Sequence, residues 1–153
     1  MKRVLAVVLA SLMLMSMFAG CAKSGSDNEL NLVEKGKLIM STNAAFPPYE
    51  MTDDDGKFID IDVEVARAIA DKLDLELVID NMEFTAALEA AQKGKSDMVM
   101  AGVTVTPDRE MVMDFSNSYA TGIQVVIVPE NSAIKTIDDL EGKKIGTQMG
   151  TTG

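Results

Sequence analysis

The stretch DIDVEVARAIADKLDLELVID, residues 60–80, decides the fold of this chain. Its longer first part carries apolar residues three and four positions apart, which predicts an amphipathic helix with one buried stripe. The stripe consists of Val63, Ala66, Ile69, Ala70 and Leu73. The carboxylates of Asp62, Glu64 and Asp71 are expected to lie on the solvated side of this helix. The end of the stretch, ELVID at residues 76–80, predicts a strand.

The same alternation of strand and helix continues on both sides of this stretch. KLIMST at residues 37–42 predicts a strand before the helix, and DMVMAG at residues 97–102 predicts a third strand. TAALEAAQKG predicts a second helix between them, with Thr85 as its N-cap and Gly94 as its stop. This order predicts an α/β fold in which helices cover the faces of a parallel sheet. Ligands bind such sheets beyond the carboxyl ends of the strands.

Three loops fall at that edge of the predicted sheet, and their side chains suit a small zwitterion. They are TNAAFPPYE (42–50), MEFT (82–85) and AGVTVTPDR (101–109). The first continues to residue 58 as a predicted loop, with extended backbone at Pro47-Pro48 and a turn at Asp55-Gly56. The side chains that favour ligand binding are aromatic (Phe46, Tyr49, Phe84), hydrogen-bond donors (Thr104, Arg109) or small (Ala101, Gly102).

The N-terminus has the pattern of an export signal. Lys2 and Arg3 precede an apolar run and a small-residue cleavage region, so residues 1–21 are expected to be a signal peptide. A membrane-anchoring helix is the alternative, but the apolar run is short for a membrane span. FAGC at residues 18–21 resembles a bacterial lipobox, so Cys21 is expected to carry fatty acyl chains such as palmitate. Residues 22–36 are polar and are expected to form a flexible tether.

Charge and composition exclude several classes of function. Lys2 and Arg3 are two of the 14 basic residues, so removal of residues 1–21 would leave 12 basic against 24 acidic residues. Such an acidic chain is not expected to bind nucleic acid. The sequence has no histidine, the commonest general base and metal ligand. It also lacks a Gly-rich phosphate loop and a metal-ligand cluster, so we expect no catalytic residues, cofactor or metal.

Four segments together resemble the bacterial extracellular solute-binding proteins of family 3, the polar amino-acid receptors of ABC importers. They are STNAAFPPYE, GKFIDIDVEVARAIADKL, AALEAAQKGKSDMVMAGVTVTPDREMVMDFSNSY and IDDLEGKKIGTQMGTTG, which span most of the chain from Lys37 to Gly153. The resemblance implies a type II, periplasmic-binding-protein-like clamp of two lobes. Lobe one is expected at residues 37–122, a hinge-crossing strand at 123–129 and the start of lobe two at 130–153. Family members continue past this point, so lobe two is expected to be incomplete in this sequence.

The resemblance also implies which residues touch the ligand. Arg109 matches the arginine that grips the ligand α-carboxylate, and its planar fork suits two parallel hydrogen bonds. Thr106 and Pro107 are expected to cap and begin the helix that holds it. Thr104 matches the residue whose amide and hydroxyl meet the ligand carboxylate and amino group, and Gly102 matches the position whose carbonyl accepts from that amino group. The other implied contacts are Asn43 at the far end of the ligand side chain, Phe46 and Phe84 as aromatic walls, Ala101 lining the pocket wall, and Gln148, Gly150, Thr151 and Thr152 on the closing loop. The acidic partner of the ligand ammonium is expected downstream of this sequence.

These features together predict the substrate-binding lipoprotein of an amino-acid ABC importer. It would capture a free amino acid by lobe closure and deliver it to a membrane permease and its ATPase subunit. Asn43 and Gln148 are uncharged, which favours a polar neutral ligand such as glutamine or cystine. The protein is expected at the cell membrane, facing the outside or the periplasm. Two alternatives stay open: a periplasmic dehydratase-like enzyme on the same scaffold, which the missing general base disfavours, and the ligand-sensing domain of a membrane receptor.

Overall fold

The computed structural model describes residues 30–153, and residues 32–153 form one compact unit. The predicted signal peptide, the predicted lipidation site Cys21 and most of the predicted tether lie outside the described residues. Within the described part of the chain, every helix is too short or too polar to cross a membrane. The elements are β1 Lys37–Thr42, β2 Ala45–Phe46, β3 Glu50–Thr52, β4 Phe58–Ile59, α1 Ile61–Leu73, β5 Glu76–Asn81, α2 Phe84–Gln92, β6 Met98–Val99, α3 Pro107–Glu110 and a 3-10 helix Ile137–Leu140.

A parallel sheet of three strands forms the centre of the fold, as the sequence predicted, and the structure gives its strand order as β5-β1-β6. The central strand β1 is buried along its whole length except at Lys37, because it is covered on both faces. It pairs with β5 from Lys37↔Glu76 to Thr42↔Asn81, and with β6 at only two positions. The carboxyl ends of all three strands therefore meet at one edge.

The loop predicted after β1 is instead a small antiparallel sheet in the order β2-β3-β4. The peptide bond between Pro47 and Pro48 is cis, and it lies in the tight turn between β2 and β3. The predicted turn at Asp55-Gly56 is confirmed, because Gly56 has a φ of 77° and its N–H donates to the carbonyl of Asp53. This sheet places the aromatic part of the loop beside the edge of the parallel sheet.

Helix α1 packs on the parallel sheet, although its buried face differs from the predicted stripe. Val63 and Ala66 join Met40 of β1 and Met100 in the core, but Ile69 and Leu73 are exposed. The prediction that Asp62 is solvated is wrong, since its relative exposure is 0%. The face that turns inward runs through residues 62, 66 and 70, which are one helical turn apart.

Helix α2 covers the sheet through Ala87, Leu88 and Ala90, and its boundaries differ slightly from the prediction. Glu83 occupies the N-cap position and Phe84 is already helical, so the prediction of Thr85 as N-cap is wrong. The cap side chain makes no hydrogen bond to the helix. Gly94, with a φ of 62°, follows the C-cap Lys93, which confirms the predicted stop.

Residues 123–129 form no strand, which contradicts the predicted hinge-crossing strand. The side chains of Ile123, Val125 and Ile127 are exposed, and no strand of the described chain pairs with them. A strand needs a partner to satisfy its backbone groups, and the segment has none here. After residue 129 the chain forms the 3-10 helix Ile137–Leu140, whose N-terminus has a capping box between Thr136 and Asp139. The lobe boundaries stay predictions.

Candidate ligand-binding site

The loops that follow β1, β5 and β6 bring most of the predicted ligand contacts to one edge of the sheet. Asn43 directly follows β1, and its Nδ2 donates to the carbonyl of Met82 beyond β5 over 2.9 Å. This bond ties two neighbouring loops together and fixes which way the carboxamide points. The Asn43 oxygen is thereby turned away from Met82 and is open to a donor from elsewhere.

Arg109 lies in the short helix α3, which the sequence correctly places after Thr106. The Thr106 hydroxyl accepts from the backbone N–H of Arg109 at 3.4 Å, and Pro107 begins the helix, so the predicted cap is confirmed. The guanidinium Nη1 donates to the carbonyl of Thr104 at 2.7 Å, and Nη2 donates to the carbonyl of Gly150 at 2.9 Å. The Arg109 fork therefore joins the loop after β6 to the segment near the end of the chain.

Phe84 provides the surface on which the Arg109 guanidinium rests. The Arg109 Cζ lies 5.5 Å from the centroid of the Phe84 ring, within the range of a cation–π interaction. Phe84 is only 7% exposed, and it packs with Leu88 and Ala101 in a second core cluster. Ala101 is itself buried in this cluster, which leaves its side chain little surface for a ligand. Phe84 thus combines core packing with a contact to the predicted carboxylate-binding residue.

Phe46, the other predicted aromatic wall, is placed differently. It is 47% exposed and stacks on Tyr49, with ring centroids 5.3 Å apart and an interplanar angle of 12°. Its ring lies against Gly102, where a Cβ atom would come within 2.8 Å of the Phe46 Cε1. Gly102 also has a φ of 54°, which disfavours other residues. Gly102 is therefore needed both for its backbone conformation and for the approach of the aromatic ring.

The segment 148–152 contacts the same edge and forms a turn. Gln148 Nε2 donates to Asn43 Oδ1 at 2.9 Å, and the hydroxyls of Thr152 and Thr104 lie 3.5 Å apart. Thr151 bonds within the turn, because its hydroxyl donates to the Gln148 carbonyl at 2.8 Å. The structure thus brings together the predicted contacts from both parts of the chain.

Two buried acids behind this edge were missed by the sequence analysis. Asp62 accepts a hydrogen bond from the Gly102 N–H through Oδ2 and one from the Tyr119 hydroxyl through Oδ1, each at 2.9 Å. Glu50 is 1% exposed; burial first, and then the negative charge of Asp62, raise the pKa of Glu50 to about 9. The spacing of Asp62 with Ala66 and Ala70 was a usable signal for its burial, whereas Glu50 gave none.

Comparison with known proteins places this architecture in a family. The profile of the bacterial extracellular solute-binding proteins, family 3, matches residues 38–147. The arginine-binding extracellular protein ArtP of Bacillus subtilis is 34% identical over 99% of this chain and 57% of its own length. A probable histidine-binding protein of Neisseria gonorrhoeae is 33% identical over 100% of this chain and 57% of its own length. The L-cystine-binding protein TcyJ of Escherichia coli is 34% identical over 94% and 56%. The chain therefore spans little more than half the length of these relatives.

Solved structures agree with this placement. An ancestral arginine-binding protein bound to arginine superimposes with a TM-score of 0.73 at 40% identity, over 77% of this chain and 53% of that one. An ancestral arginine-binding protein bound to glutamine gives a TM-score of 0.73 at 40% identity, over 78% of this chain and 53% of that one. An ancestral cyclohexadienyl dehydratase is less similar, with a TM-score of 0.53 at 32% identity over 56% and 35%. The α/β, type II periplasmic-binding-protein fold class is thus confirmed. The chain belongs to the bacterial extracellular solute-binding proteins of family 3.

Proposed function

We propose that this chain is the substrate-binding part of an amino-acid importer, which captures a free amino acid and delivers it to a membrane permease of the ABC class. The observation that carries this proposal is the double hydrogen bond of Arg109, whose fork joins the carbonyls of Thr104 and Gly150. The same fork geometry suits the two oxygens of an α-carboxylate. The named relatives, an arginine-binding, a probable histidine-binding and an L-cystine-binding protein, support an amino acid as the ligand.

Carboxylate binding by Arg109 would exchange two hydrogen bonds from the guanidinium to neutral carbonyl oxygens for two hydrogen bonds to an ionised acceptor. The bidentate guanidinium–carboxylate pair adds the attraction between opposite charges, which favours the exchange. Phe84 beneath the guanidinium restricts its orientation and excludes water from one face. The Thr104 side chain is exposed at the same edge and can donate a further hydrogen bond.

Capture would be coupled to closure, because the ligand would contact both parts of the chain. Arg109 and Asn43 belong to the predicted lobe one, and each bonds a residue of the segment 148–152. A ligand that interacts with both parts favours the arrangement in which they are close together. The closed form would then present both lobe surfaces to the permease, whose ATPase subunit would drive import.

The side chain of the ligand is proposed to be polar and neutral. Asn43 and Gln148 form an uncharged amide pair, which offers hydrogen bonds but no counter-charge for a cationic side chain. The ancestral arginine-binding protein was also solved with glutamine, so this scaffold can hold a neutral polar amino acid. Arginine is the main competitor, since several similar proteins are arginine-binding proteins.

Membership of an extracellular family supports an exported protein, and we propose that the acylated Cys21 anchors it to the membrane. We also propose binding and not catalysis as its activity, which the names of the curated relatives support. The dehydratase resemblance carries less weight because it covers a smaller share of the chain at a lower TM-score.

A calorimetric screen of the full-length protein against the twenty amino acids and cystine tests the proposal. We expect at least one polar neutral amino acid to bind, with Arg109→Ala weakening the affinity about thirtyfold or more. Arg67→Ala is the matched control, because Arg67 is an exposed arginine on α1 outside the site. The proposal is wrong if no amino acid binds the wild type, or if the two substitutions weaken binding equally.

A further inference from the structure

The carboxylate of Asp62 is an unusual feature of this fold because it is completely buried at the start of a helix. It lies in the first turn of α1, where the helix dipole favours a negative charge. Its two oxygens accept from the Gly102 N–H and from the Tyr119 hydroxyl. Asp62 therefore joins three separate parts of the chain: α1, the loop after β6 and the segment that leads to residues 123–129.

Glu50 of β3 is the second member of the cluster. The backbone N–H of Asp62 donates to the carbonyl of Tyr49, the residue before Glu50, over 2.8 Å, and the two carboxyl groups lie close enough to interact. Both Glu50 oxygens are buried, and neither has a hydrogen-bond partner. Two ionised carboxylates at such a distance repel each other, whereas a carboxylic acid can donate its proton to a carboxylate. The fully buried position of Glu50 also disfavours its charged form.

We propose that Glu50 and Asp62 share one proton as a buried acid–carboxylate pair, and that this pair positions the loop 101–106 by holding the Gly102 amide. In this arrangement the two Asp62 oxygens accept three hydrogen bonds, from Gly102, Tyr119 and the Glu50 acid. The loop 101–106 includes Thr104, whose carbonyl Arg109 contacts. That the loop meets a ligand rests on the proposed function, but the pair and its hold on Gly102 do not.

The other ionisable groups around the pair reinforce this arrangement. Asp60, at the start of α1, adds negative charge that disfavours a second ionised carboxylate, and burial together with Asp62 raises the pKa of Tyr119. Tyr49 precedes Glu50 and lies near Tyr119. Within residues 30–153 no group of three or more acidic, cysteine or histidine side chains is arranged to hold a metal ion.

The first test is the pH dependence of stability in the wild type and in Glu50→Gln. Because the pKa of Glu50 rises from 4.5 to about 9 on folding, the stability due to its protonated form is fully present below pH 4.5 and lost as the pH approaches 9. Gln keeps a donor to Asp62 but cannot ionise. The denaturation midpoint of the wild type should therefore fall relative to that of Glu50→Gln between pH 5 and pH 9. Parallel curves would show that no proton is shared. The control is Glu64→Gln, which removes an exposed carboxylate from α1, the helix that carries Asp62. Its denaturation midpoint should depend on pH as that of the wild type does.

The second test is amide hydrogen exchange of Gly102, followed by NMR in the full-length protein at pH 7. Asp62→Asn offers one acceptor oxygen to three donors, so the Gly102 amide should exchange about tenfold faster or more. The Met40 amide in the core strand β1 should change much less, since its strand bonds remain. Tyr119→Phe removes only one donor and should leave Gly102 protected. Equal acceleration at Gly102 and Met40 would mean that Asp62 supports the whole fold and does not position this loop.

Neither test requires a ligand, so both keep their meaning if the amino-acid screen fails. If the screen succeeds, Asp62→Asn should lower the affinity for the amino acid it identifies by about tenfold, whereas Tyr119→Phe should not. Unchanged affinity in Asp62→Asn, together with faster exchange at Gly102, would refute the step from loop position to ligand binding.

Discussion

Replacement of Gly102 by alanine perturbs the point where the backbone, an aromatic ring and a buried acid meet. The new Cβ would lie 2.8 Å from Cε1 and 3.0 Å from Cδ1 of Phe46, closer than carbon atoms tolerate. The φ of 54° adds strain of about 1–2 kcal/mol for a non-glycine residue. Because Phe46 is half exposed, its ring can swing away, but it then loses its stacking on Tyr49, worth about 0.5–1.5 kcal/mol.

The matched control is Gly94→Ala, which has the backbone strain without the collision. Gly94 has a φ of 62°, and no atom lies within 4 Å of where its Cβ would be. In urea denaturation, Gly94→Ala should lower the free energy of unfolding by about 1–2 kcal/mol. Gly102→Ala should lower it by the same amount and by up to about 1.5 kcal/mol more, because the stacking is also lost. In calorimetric titrations with the amino acid found by the screen, only Gly102→Ala should weaken binding.

Equal losses of stability and equal affinities in the two alanine variants would refute this reasoning. They would mean that Phe46 does not pack against Gly102 and that the aromatic wall is not formed there. A ring-current shift of the Phe46 resonances in the NMR spectrum gives an independent reading. It should change in Gly102→Ala and stay unchanged in Gly94→Ala.

Three other substitutions, at Arg109, Asn43 and Cys21, have expected outcomes. Arg109→Lys keeps the charge but loses the fork, so its affinity should fall between those of the wild type and Arg109→Ala by calorimetry; affinity equal to the wild type would argue against two parallel bonds. Asn43→Asp should shift the preference from glutamine towards arginine by about tenfold, since it places a carboxylate beside Gln148; an unchanged ratio would remove Asn43 from the specificity site. Cys21→Ser should abolish labelling with a clickable fatty acid and release the protein from membranes, and equal labelling of both forms would exclude Cys21 as the lipidated residue.

The central fold could be predicted because it depends on local periodicity. The strand at 37–42 and the stop at Gly94 agree with the structure, since apolar runs and glycine signals act within a few residues. The burial of Asp62 could not be deduced from its charge, because its partners Gly102 and Tyr119 are 40 and 57 residues away. The segment 123–129 was predicted as a hinge-crossing strand from the family resemblance, but a segment forms a strand only where a partner strand is available.

Individual residues of the site could be predicted from the sequence, but the hydrogen bonds that join distant residues could not. The Thr106 cap and the position of Arg109 after it followed from local helix signals. The bond of Arg109 to the Gly150 carbonyl and the bond of Gln148 to Asn43 join residues 41 and 105 positions apart. Such pairs depend on how the chain folds back on itself, which local patterns do not encode.

A calorimetric cycle between Arg109 and the ligand α-carboxylate tests the central claim most directly. The affinities of the full-length wild type and of Arg109→Ala are measured for the amino acid found by the screen and for its α-carboxamide, which lacks the negative charge. If Arg109 binds the carboxylate, either change alone should cost about 2–5 kcal/mol, and the second change should cost little once the first is made. If the two losses simply add, Arg109 does not contact the carboxylate, and the proposed binding mode is wrong.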